Sequence, residues 1–285
     1  MTSDPATSTD RTPTPWRITA LDTGTTHIDQ SMLTYTVGVG SVVRIPRIMW
    51  LVEGPSTIVV DTSVPMRRRP SEFIGEDFSR SRAQEPANAL RDAGVDPRDV
   101  EKVVLTHLHW DHAGNCELFP DARVVVQRDE LRYAIDPGRF FRKSFLSPAS
   151  GWGTPPWLLP NIDTLDGETE LAPGLRVVPA PGHTPGSQAL IADTEQGSFC
   201  IAGDAISLYA NIERDIPPGF HVDVDDSVAS MDRLRGLADH FLPSHDYEVL
   251  TDGLITPIGV AHASRPRYVP PPVEAWDPAP DEVRG

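Results

Sequence analysis

The sequence predicts an α/β protein in which layered β-sheets are covered by helices. Short runs rich in β-branched residues alternate with helical stretches along the 285 residues, and no repeat of fixed period is present. The 39% hydrophobic content is enough to bury a sizeable core, in one large domain or two modest ones. A cluster of polar residues directly after one of the apolar runs points to a site built at the edge of a sheet.

Eight segments are predicted as strands, because they are rich in β-branched residues and are bounded by turn-forming residues. They are residues 41–45, 48–52, 57–61, 102–105, 123–126, 175–178, 187–192 and 198–202. Three segments are predicted as helices. They are residues 87–93, 128–135 and 227–240.

The last of these helices has the clearest amphipathic pattern. Val228, Met231 and Leu234 recur at helical spacing, which predicts a helix that covers a sheet with its apolar face. Asp225 and Asp226 stand where an N-cap and a favourable partner of the helix dipole belong.

Residues 136–167 form an insert that prolines and glycines interrupt. Its large apolar side chains are Phe140, Phe141, Phe145, Trp152, Trp157, Leu158 and Leu159. Long connections of this kind are uncommon unless they have a function, and aromatic ones often wall an apolar pocket. The insert is therefore predicted either as a lid over a site or as a plug of the core or a dimer contact.

The two ends of the chain differ from the rest in composition. Residues 1–15 are mostly Ser, Thr, Pro and Asp, and residues 266–285 are rich in proline, so both are predicted as extended or disordered tails. The N-terminus lacks a basic start with an apolar segment, and no apolar stretch reaches the roughly eighteen residues that a membrane span needs. With only two cysteines as well, we expect a cytoplasmic protein without a membrane partner.

The net charge excludes one class of partner. A formal charge of −16 repels phosphate backbones, so we expect no binding of nucleic acid. The one basic run, Arg67 to Arg69, precedes Pro70 and is predicted to lie in a solvated turn.

The most informative pattern directly follows the strand predicted at residues 102–105. His107, His109, Asp111 and His112 lie within six residues of one another. Imidazole and carboxylate groups are the ligands that borderline-hard divalent cations prefer, and the spacing H-x-H-x-D-H gives two pairs that can face two neighbouring ions. A histidine-rich surface loop would not be expected between an apolar strand and a Gly-Asn turn.

Three further ligand-type residues follow strands or lie in turns, where a rigid scaffold projects their side chains. His183 lies in the turn Pro181 to Gly186, with the sequence P-G-H-T-P-G, and Asp204 follows Gly203 at the end of a strand. His245 lies in the late segment L-P-S-H-D. These residues complete a set of seven candidate metal ligands.

In this order, the segments H-x-H-x-D-H, P-G-H-T-P-G, G-D and S-H-D resemble those of the metallo-β-lactamase superfamily. The resemblance covers about residues 30–250 and includes the early strand and turn at residues 58–62, although Ser63 stands where the family usually has glycine. Residues 126–130, the P-G-H-T-P-G turn and residues 203–205 are most similar to the dinuclear N-acyl homoserine lactonases.

The resemblance implies an αββα sandwich, in which two mixed β-sheets are flanked by helices, as a hydrolase domain over residues 16–265. It also implies two metal ions at one edge of the sheets. On the family pattern, the first ion is held by His107, His109 and His183, the second by Asp111, His112 and His245, and Asp204 bridges them. Zinc is the expected ion, with iron, manganese or cobalt as alternatives, because all of them accept such ligands.

The ligand set itself points to catalysis. Six terminal ligands and one bridging carboxylate leave coordination positions open, as in catalytic metal sites. Two ions can lower the pKa of a shared water enough to supply hydroxide at neutral pH, and one of them can polarise a carbonyl. Asp204 can then relay a proton to the leaving alkoxide, so Asp111 and Asp204 are candidate catalytic residues as well as ligands.

One position departs from the lactonase pattern. The lactonases usually place a tyrosine three residues after the bridging aspartate, where its hydroxyl helps the carbonyl oxygen. This chain has Ser207 there and Tyr209 nearby, so either residue is a candidate to replace it. In the alternative, the metal ions stabilise the oxyanion without either side chain.

The remaining polar residues receive simpler interpretations. Asp61 and Asp246 are candidates to orient ligand imidazoles, and His221 lies on a loop from which it could reach the pocket. Cys116 lies close enough to the cluster to be considered as a ligand, whereas Cys200 is expected in the core. The other histidines are expected at the surface or at a helix end: His27, His240 and His262.

The sequence therefore predicts a metal-dependent hydrolase that opens a lactone by means of a metal-bridging hydroxide. The expected partner is a small lactone or ester with an apolar group, such as an acyl homoserine lactone, and a homodimer is left open. A thioesterase or another ester or amide hydrolase on the same dinuclear site is the first alternative. A non-catalytic metal-binding protein is the alternative from another class, and the complete ligand set argues against it.

Overall fold

The computed structural model describes residues 15–66, 77–147, 151–158 and 161–253. Within this part of the chain, two β-sheets pack face to face and helices cover their outer faces, so the predicted αββα sandwich is confirmed. Several predictions fall outside the described residues. They concern the two tails, the run Arg67 to Arg69, Leu159 and His262.

The first sheet contains seven strands. They are β1 (Arg17–Asp29), β2 (Val42–Glu53), β3 (Thr57–Val60), β4 (Asp77–Ser79), β5 (Lys102–Val104), β6 (Arg123–Gln127) and β7 (Ile162–Leu165), in the order β4-β1-β2-β3-β5-β6-β7. Pairing is antiparallel from β4 to β3 and parallel from β3 to β7. Because parallel strands end at the same edge, the residues that follow β3, β5 and β6 meet there.

The second sheet contains five strands. They are β8 (Thr169–Ala172), β9 (Leu175–Pro179), β10 (Gln188–Thr194), β11 (Gly197–Ile201) and β12 (His240–Leu242), in the order β12-β11-β10-β9-β8. β11 and β12 are parallel and the other pairs are antiparallel, so β9, β11 and β12 all end at one edge. This edge carries the P-G-H-T-P-G turn and the segments after β11 and β12.

Four α-helices complete the described structure. They are α1 (Pro86–Asp92), α2 (Arg128–Ile135), α3 (Tyr209–Glu213) and α4 (Val224–Arg235). α1 and α2 pack on the outer face of the first sheet through residues such as Leu90 and Ala134, and α4 packs on the second sheet through Met231 and Leu234. The inter-sheet core contains Trp50 and other side chains from both sheets.

The structure corrects both ends of the predicted last helix. Asp223 is the N-cap of α4, and its side chain accepts a hydrogen bond from the backbone of Asp226, while Asp225 and Asp226 lie in the first turn. The helix ends at Arg235, so His240 is the first residue of β12 and not a helix end. The reason is that the backbone amide of Asp239 already donates to the carbonyl of Ser198 in β11, which draws this segment into the sheet.

The large side chains of the aromatic insert lie in two different environments. Phe145 and Trp157 are fully buried in the core beneath the first sheet, and the indole of Trp157 donates to the carbonyl of Phe145 (3.2 Å). Phe140 is instead 81% exposed and borders a cavity. Residues 162–165 at the end of the insert form β7. Part of the insert therefore plugs the core and part faces the site.

None of the helices in the described ranges has both the length and the apolar character that a membrane crossing requires.

Gly186 offers a test of how the fold holds the P-G-H-T-P-G turn. A Cβ at this position would overlap the backbone nitrogen and Cα of Glu130 at the start of α2, and backbone atoms cannot move aside as a flexible side chain can. We expect Gly186→Ala to lower the free energy of unfolding by about 2–3 kcal/mol, as overpacking of a core does. Chemical denaturation followed by circular dichroism measures this change.

Gly236→Ala is the matched control. Its nearest neighbour would lie 3.5 Å from the new Cβ, an ordinary contact, and its backbone conformation is helical. We expect this variant to change the free energy of unfolding by less than about 0.5 kcal/mol. Equal stability of the two variants would show that the turn and α2 do not approach as closely as described.

Candidate metal centre

The seven predicted ligands lie together at the edge where strands of both sheets end. Four come from the turn after β5, one from the turn between β9 and β10, and one each from the segments after β11 and β12. Every one of them is buried. They form three overlapping groups of possible ligand atoms: His107, His109 and His183; His107, His112 and Asp204; and Asp111, His112 and His245.

The first group is formed by the imidazoles of His107, His109 and His183, and one oxygen of Asp204 lies beside it. Nε2 of His183 lies 3.2 Å from Nε2 of His107 and 2.9 Å from Nδ1 of His109. The same nitrogen lies 3.3 Å from Oδ2 of Asp204. A tetrahedral zinc ion with bonds of about 2.0–2.1 Å needs donor atoms roughly 3.3 Å apart. The spacing in this group therefore fits one such ion.

Asp111, His112 and His245, called the second group from here on, lie beside the other oxygen of Asp204. Oδ1 of Asp204 lies 3.2 Å from Nε2 of His112 and 3.1 Å from Nε2 of His245. Oδ2 of Asp111 lies 3.5 Å and 3.8 Å from these two nitrogens, respectively. The two carboxylate oxygens of Asp204 thus face different groups, as a bridging ligand requires.

The charges at the site also favour cations. Burial lowers the pKa of His107, His109 and His183, which favours the neutral imidazole, the form that binds metal. Burial alone would also lower the pKa of His112, but nearby carboxylates hold it well above its ordinary value. An excess of negative charge therefore surrounds His112.

Two ligand nitrogens are buried without a suitable hydrogen-bond partner. Among the described residues, none makes a hydrogen bond to Nε2 of His109 or to Nε2 of His112. Unpaired buried polar atoms are costly, and they often mark a site for a water or an ion. For His112, the unpaired atom is the one that points at the carboxylates of Asp111 and Asp204.

The other ring nitrogen of each of three ligands faces an oxygen that fixes the ring. Nδ1 of His112 lies 2.7 Å from Oδ2 of Asp61, Nδ1 of His183 lies 2.6 Å from the carbonyl of Phe220, and Nδ1 of His245 lies 3.2 Å from the carbonyl of Pro46. Such contacts select the tautomer that leaves Nε2 available to a metal. Asp61 therefore occupies the predicted orienting position.

Asp246, the other predicted orienting residue, contacts backbone groups instead. Its Oδ2 accepts from the amide of Tyr209 (3.0 Å) and its Oδ1 accepts from the amide of Glu248 (3.0 Å). The carbonyl of Pro46 holds the ring of His245 in its place. Asp246 thus stabilises the start of α3 and the turn that follows the ligand.

The turn after β3 has an unusual backbone. Asp61 and Ser63 have φ values of +61° and +64°, in the left-handed region that favours glycine. Ser63 is the position where the family usually has glycine, and its hydroxyl lies 2.6 Å from that of Thr23 and accepts from Arg80 (3.2 Å). These contacts hold the side chain of Ser63, which stands in place of the glycine, in the turn that carries Asp61.

Glu130 holds the two ligand-bearing turns together, a role that the sequence analysis did not assign. Its carboxylate accepts hydrogen bonds from the amide of Leu108 (2.9 Å), the hydroxyl of Thr184 (2.6 Å) and the amide of Gly186 (3.1 Å). Burial raises the pKa of this carboxyl to about 7, although these hydrogen bonds lower it. The available signal was its position in the first turn of a helix directly after β6.

Arg47 is the second residue that the sequence analysis did not identify. It lies on β2 with its side chain 4% exposed, and its Nη1 donates to Oδ2 of Asp111. The same Nη1 lies 3.4 Å from Nε2 of His245, and Nε donates to the hydroxyl of Thr26 (2.9 Å). Its charge is a cause of the low pKa of Asp111, where burial acts in the opposite direction. The available signal was a cation that directly precedes the apolar run at residues 48–52.

A cavity of about 220 Å³ opens onto the ligands. Its floor is polar and includes Arg47 and Ser207 beside the ligands Asp111 and Asp204. Its walls are largely apolar and include Ile28, Met32, Leu33, Ile45, Phe140 and Phe220. Lys143 and Ser144 also line it, so the structure places a largely apolar chamber with a few polar side chains against the candidate metal centre.

The two candidates for the missing tyrosine differ in position. Ser207 is buried and lines the cavity. Tyr209 begins α3 and packs into the inter-sheet core with residues such as Ile18 and Trp50. The structure thus brings Ser207 to the site and directs the ring of Tyr209 away from it, because the chain turns into a helix between them.

The other residues considered from the sequence lie away from the ligands. Nδ1 of His221 lies 2.8 Å from the carbonyl of Pro218, and its ring packs against Tyr35. Cys116 is buried beside Thr62, and Cys200 lies on β11 and is buried in the core that α4 covers. His27 pairs with Asp77 at the surface, and the ring of His240 packs on Phe199.

Comparisons with known proteins agree with this geometry. Residues 48–245 match the family model of the metallo-β-lactamase superfamily. The chain is 29% identical over 238 residues to the N-acyl homoserine lactonase AiiA of Bacillus thuringiensis subsp. kurstaki, which covers 78% of this chain and 89% of that protein. It is 36% identical over 153 residues to the N-acyl homoserine lactonase AttM of Azorhizobium caulinodans, which covers 51% of this chain and 56% of that protein.

A solved structure shows the same architecture. An N-acyl homoserine lactone hydrolase, with the product N-hexanoyl-L-homoserine bound at its catalytic metal centre, aligns with a TM-score of 0.70 at 25% identity. The alignment covers 83% of this chain and 95% of that one. Because the family model spans more than half of the chain and the sandwich fold agrees with it, this chain belongs to the metallo-β-lactamase superfamily, as its motifs predict.

Proposed function

We propose that this chain is a dinuclear, zinc-dependent lactonase that hydrolyses the cyclic ester of a lactone with an apolar acyl substituent, of the N-acyl homoserine lactone kind. The observation that carries the proposal is the pair of ligand groups joined by Asp204 at the floor of a largely apolar cavity. The likeness to N-acyl homoserine lactonases over most of the chain supports the same substrate class.

The residues that would hold the ions are the seven described above. When bound, two such ions supply an activated water and a Lewis acid for the ester carbonyl. Opening the ring adds water across the ester bond, so one proton must reach the ring oxygen that leaves as an alcohol. Asp204 would carry this proton, a role supported by its position between the two groups, where its Oδ1 accepts from the hydroxyl of Ser244 (2.6 Å).

Ser207 would assist the carbonyl oxygen. It lines the cavity beside Asp204, and its hydroxyl is of the donor type that stabilises a developing oxyanion. The amide of His245 bonds to the carbonyl of Ser207 (3.0 Å), which ties this residue to the segment that carries a ligand. Ser207 would thus supply the contact for which the lactonases resembled here use a tyrosine.

The walls of the cavity determine which substituent fits. Met32, Leu33, Phe140 and Phe220 all line the cavity, so an acyl chain can leave water as the lactone reaches the ligands. The ring of Phe220 also packs against the imidazoles of His109 and His183, with centroids 5.8 Å apart in each pair. The apolar wall is therefore continuous with the metal centre.

The reaction and its substrate can be tested directly with purified protein. Purified protein loaded with zinc should release acid from N-acyl homoserine lactones, faster than from linear esters or thioesters, with KM falling as the acyl chain lengthens. Phe140→Ala should raise KM for a decanoyl substrate by roughly fivefold, the effect of losing about 1 kcal/mol of apolar contact. Titration of the released acid at constant pH measures both effects.

Ile135→Ala is the control for Phe140→Ala, because Ile135 is also exposed and apolar but lies at the end of α2 and is absent from the described lining of the cavity. It should leave KM unchanged. Preference for a thioester, or no turnover of any lactone by protein that carries two ions, would refute the proposed substrate class.

The second prediction concerns the ligands. His109→Ala and Asp204→Asn should each lower kcat by a factor of about 10³ or more, because an open catalytic metal site depends on its complete ligand set. The unloaded variants should retain the circular dichroism spectrum of the wild type, since the core lies elsewhere. Metal content by mass spectrometry should fall from two ions per chain in parallel.

His27→Ala removes an imidazole from the surface and serves as the matched control, with turnover and metal content expected at wild-type level. Wild-type turnover in both His109→Ala and Asp204→Asn would exclude this centre as the site of reaction.

The third prediction separates Ser207 from Tyr209. We expect Ser207→Ala to lower kcat about tenfold or more, the effect of losing one oxyanion donor, and to change KM little. Tyr209→Phe should leave kcat unchanged, because the ring lies in the inter-sheet core. Steady-state kinetics of the two variants with the same lactone give the answer, and the opposite pattern would assign the role to Tyr209.

A further inference from the structure

Arg47 places a fixed positive charge against one of the two ligand groups. Its guanidinium contacts Oδ2 of Asp111 and lies 3.4 Å from Nε2 of His245, two atoms of the second group. By contrast, the positive end of Arg47 has no described contact with the imidazoles of His107, His109 and His183, which form the first group. The two groups therefore differ in their charge surroundings.

The guanidinium is held firmly in this position. Nε donates to the hydroxyl of Thr26 (2.9 Å), and the guanidinium carbon lies 5.0 Å from the centre of the Trp110 ring, which covers it from one side. The side chain is buried, so water does not screen its charge as it would at the surface. The guanidinium group of an arginine carries a positive charge that is spread over its planar fork of nitrogens.

We propose that Arg47 is an internal counter-cation that makes the ion at Asp111, His112 and His245 the more weakly held of the two. The proposal rests on the dinuclear site proposed above. A cation that binds Oδ2 of Asp111 must share this oxygen with the guanidinium and must approach a positive charge that is poorly screened. The first group imposes no such cost, because its three terminal ligands are neutral imidazoles.

The test is a zinc titration of metal-free protein against a chromophoric chelator, with the number of ions per chain measured at saturation. Wild-type protein should bind two ions in two separate phases. Arg47→Gln removes the charge but keeps a side chain that can donate to Asp111, and it should tighten the weaker phase about tenfold or more while leaving the tighter phase unchanged. Arg47→Lys keeps the charge and should retain the two separate phases.

Two further variants locate the effect. Arg44→Gln removes the same charge from an exposed position on the same strand, where the guanidinium stacks on Tyr247, and should change neither phase. His245→Ala removes one donor of the second group and should abolish the weaker phase while the tighter one remains. The two measurements give the affinity and the number of bound zinc ions, and neither depends on turnover.

The outcomes separate this inference from the function on which it rests. Two ions of equal affinity in the wild type, or a weaker phase that loosens or stays unchanged in Arg47→Gln, would overturn the role of Arg47 and leave a dinuclear site intact. Loss of the tighter phase in His245→Ala would overturn the assignment of the weaker ion. Fewer than two ions at saturation in the wild type would overturn both proposals.

Discussion

Asp204 reaches both groups of ligands from a single turn. Its Oδ2 lies 3.3 Å from Nε2 of His183 and its Oδ1 lies 3.1 Å from Nε2 of His245, so any shift of this turn changes both groups at once. Gly203 before it has a φ of +54°, and a Cβ there would meet the side chain of Thr106 from the other sheet. The amide of Gln188 also bonds to the carbonyl of Thr106 (2.8 Å). The close contact of the two sheets at this edge therefore sets the geometry of the site.

The parts of the fold that the sequence predicts are those whose burial is simple. β5 and β6 are covered on both faces and read as short apolar runs, and α2 was predicted with its observed bounds. β1 was missed because Asp22 and Gly24 in its middle are turn-forming residues, whereas the structure continues the strand through a shift in register between Asp22 and Thr25. β12 was missed because it has only three residues and owes its pairing to β11, a neighbour distant in sequence.

The residues of the candidate site could be predicted where they lie close together in short sequence motifs. Seven ligands follow from local spacing and from the family resemblance, and the structure brings all seven together. Arg47 and Glu130 act through partners more than twenty residues away, which no local spacing records. Ser207 and Tyr209 are two residues apart in sequence, yet one lines the cavity and the other lies in the core. Their separation depends on where α3 begins, which the sequence did not reveal.

The first and second groups of the candidate metal centre differ in the number of carboxylates that surround them. The first group shares Asp204 and otherwise has imidazoles, whereas the second group adds Asp111, with Asp61 behind the ring of His112. Without a neighbouring positive charge, these extra carboxylates would attract a cation most strongly to the second group. Nearby carboxylates also hold the pKa of His112 well above its usual range despite burial. Arg47 contacts the carboxylate of Asp111, on the side of these extra carboxylates. Its charge opposes the attraction of these carboxylates and occupies the oxygen of Asp111 that a cation would bind, so the second group holds its ion less tightly than its carboxylates alone would predict.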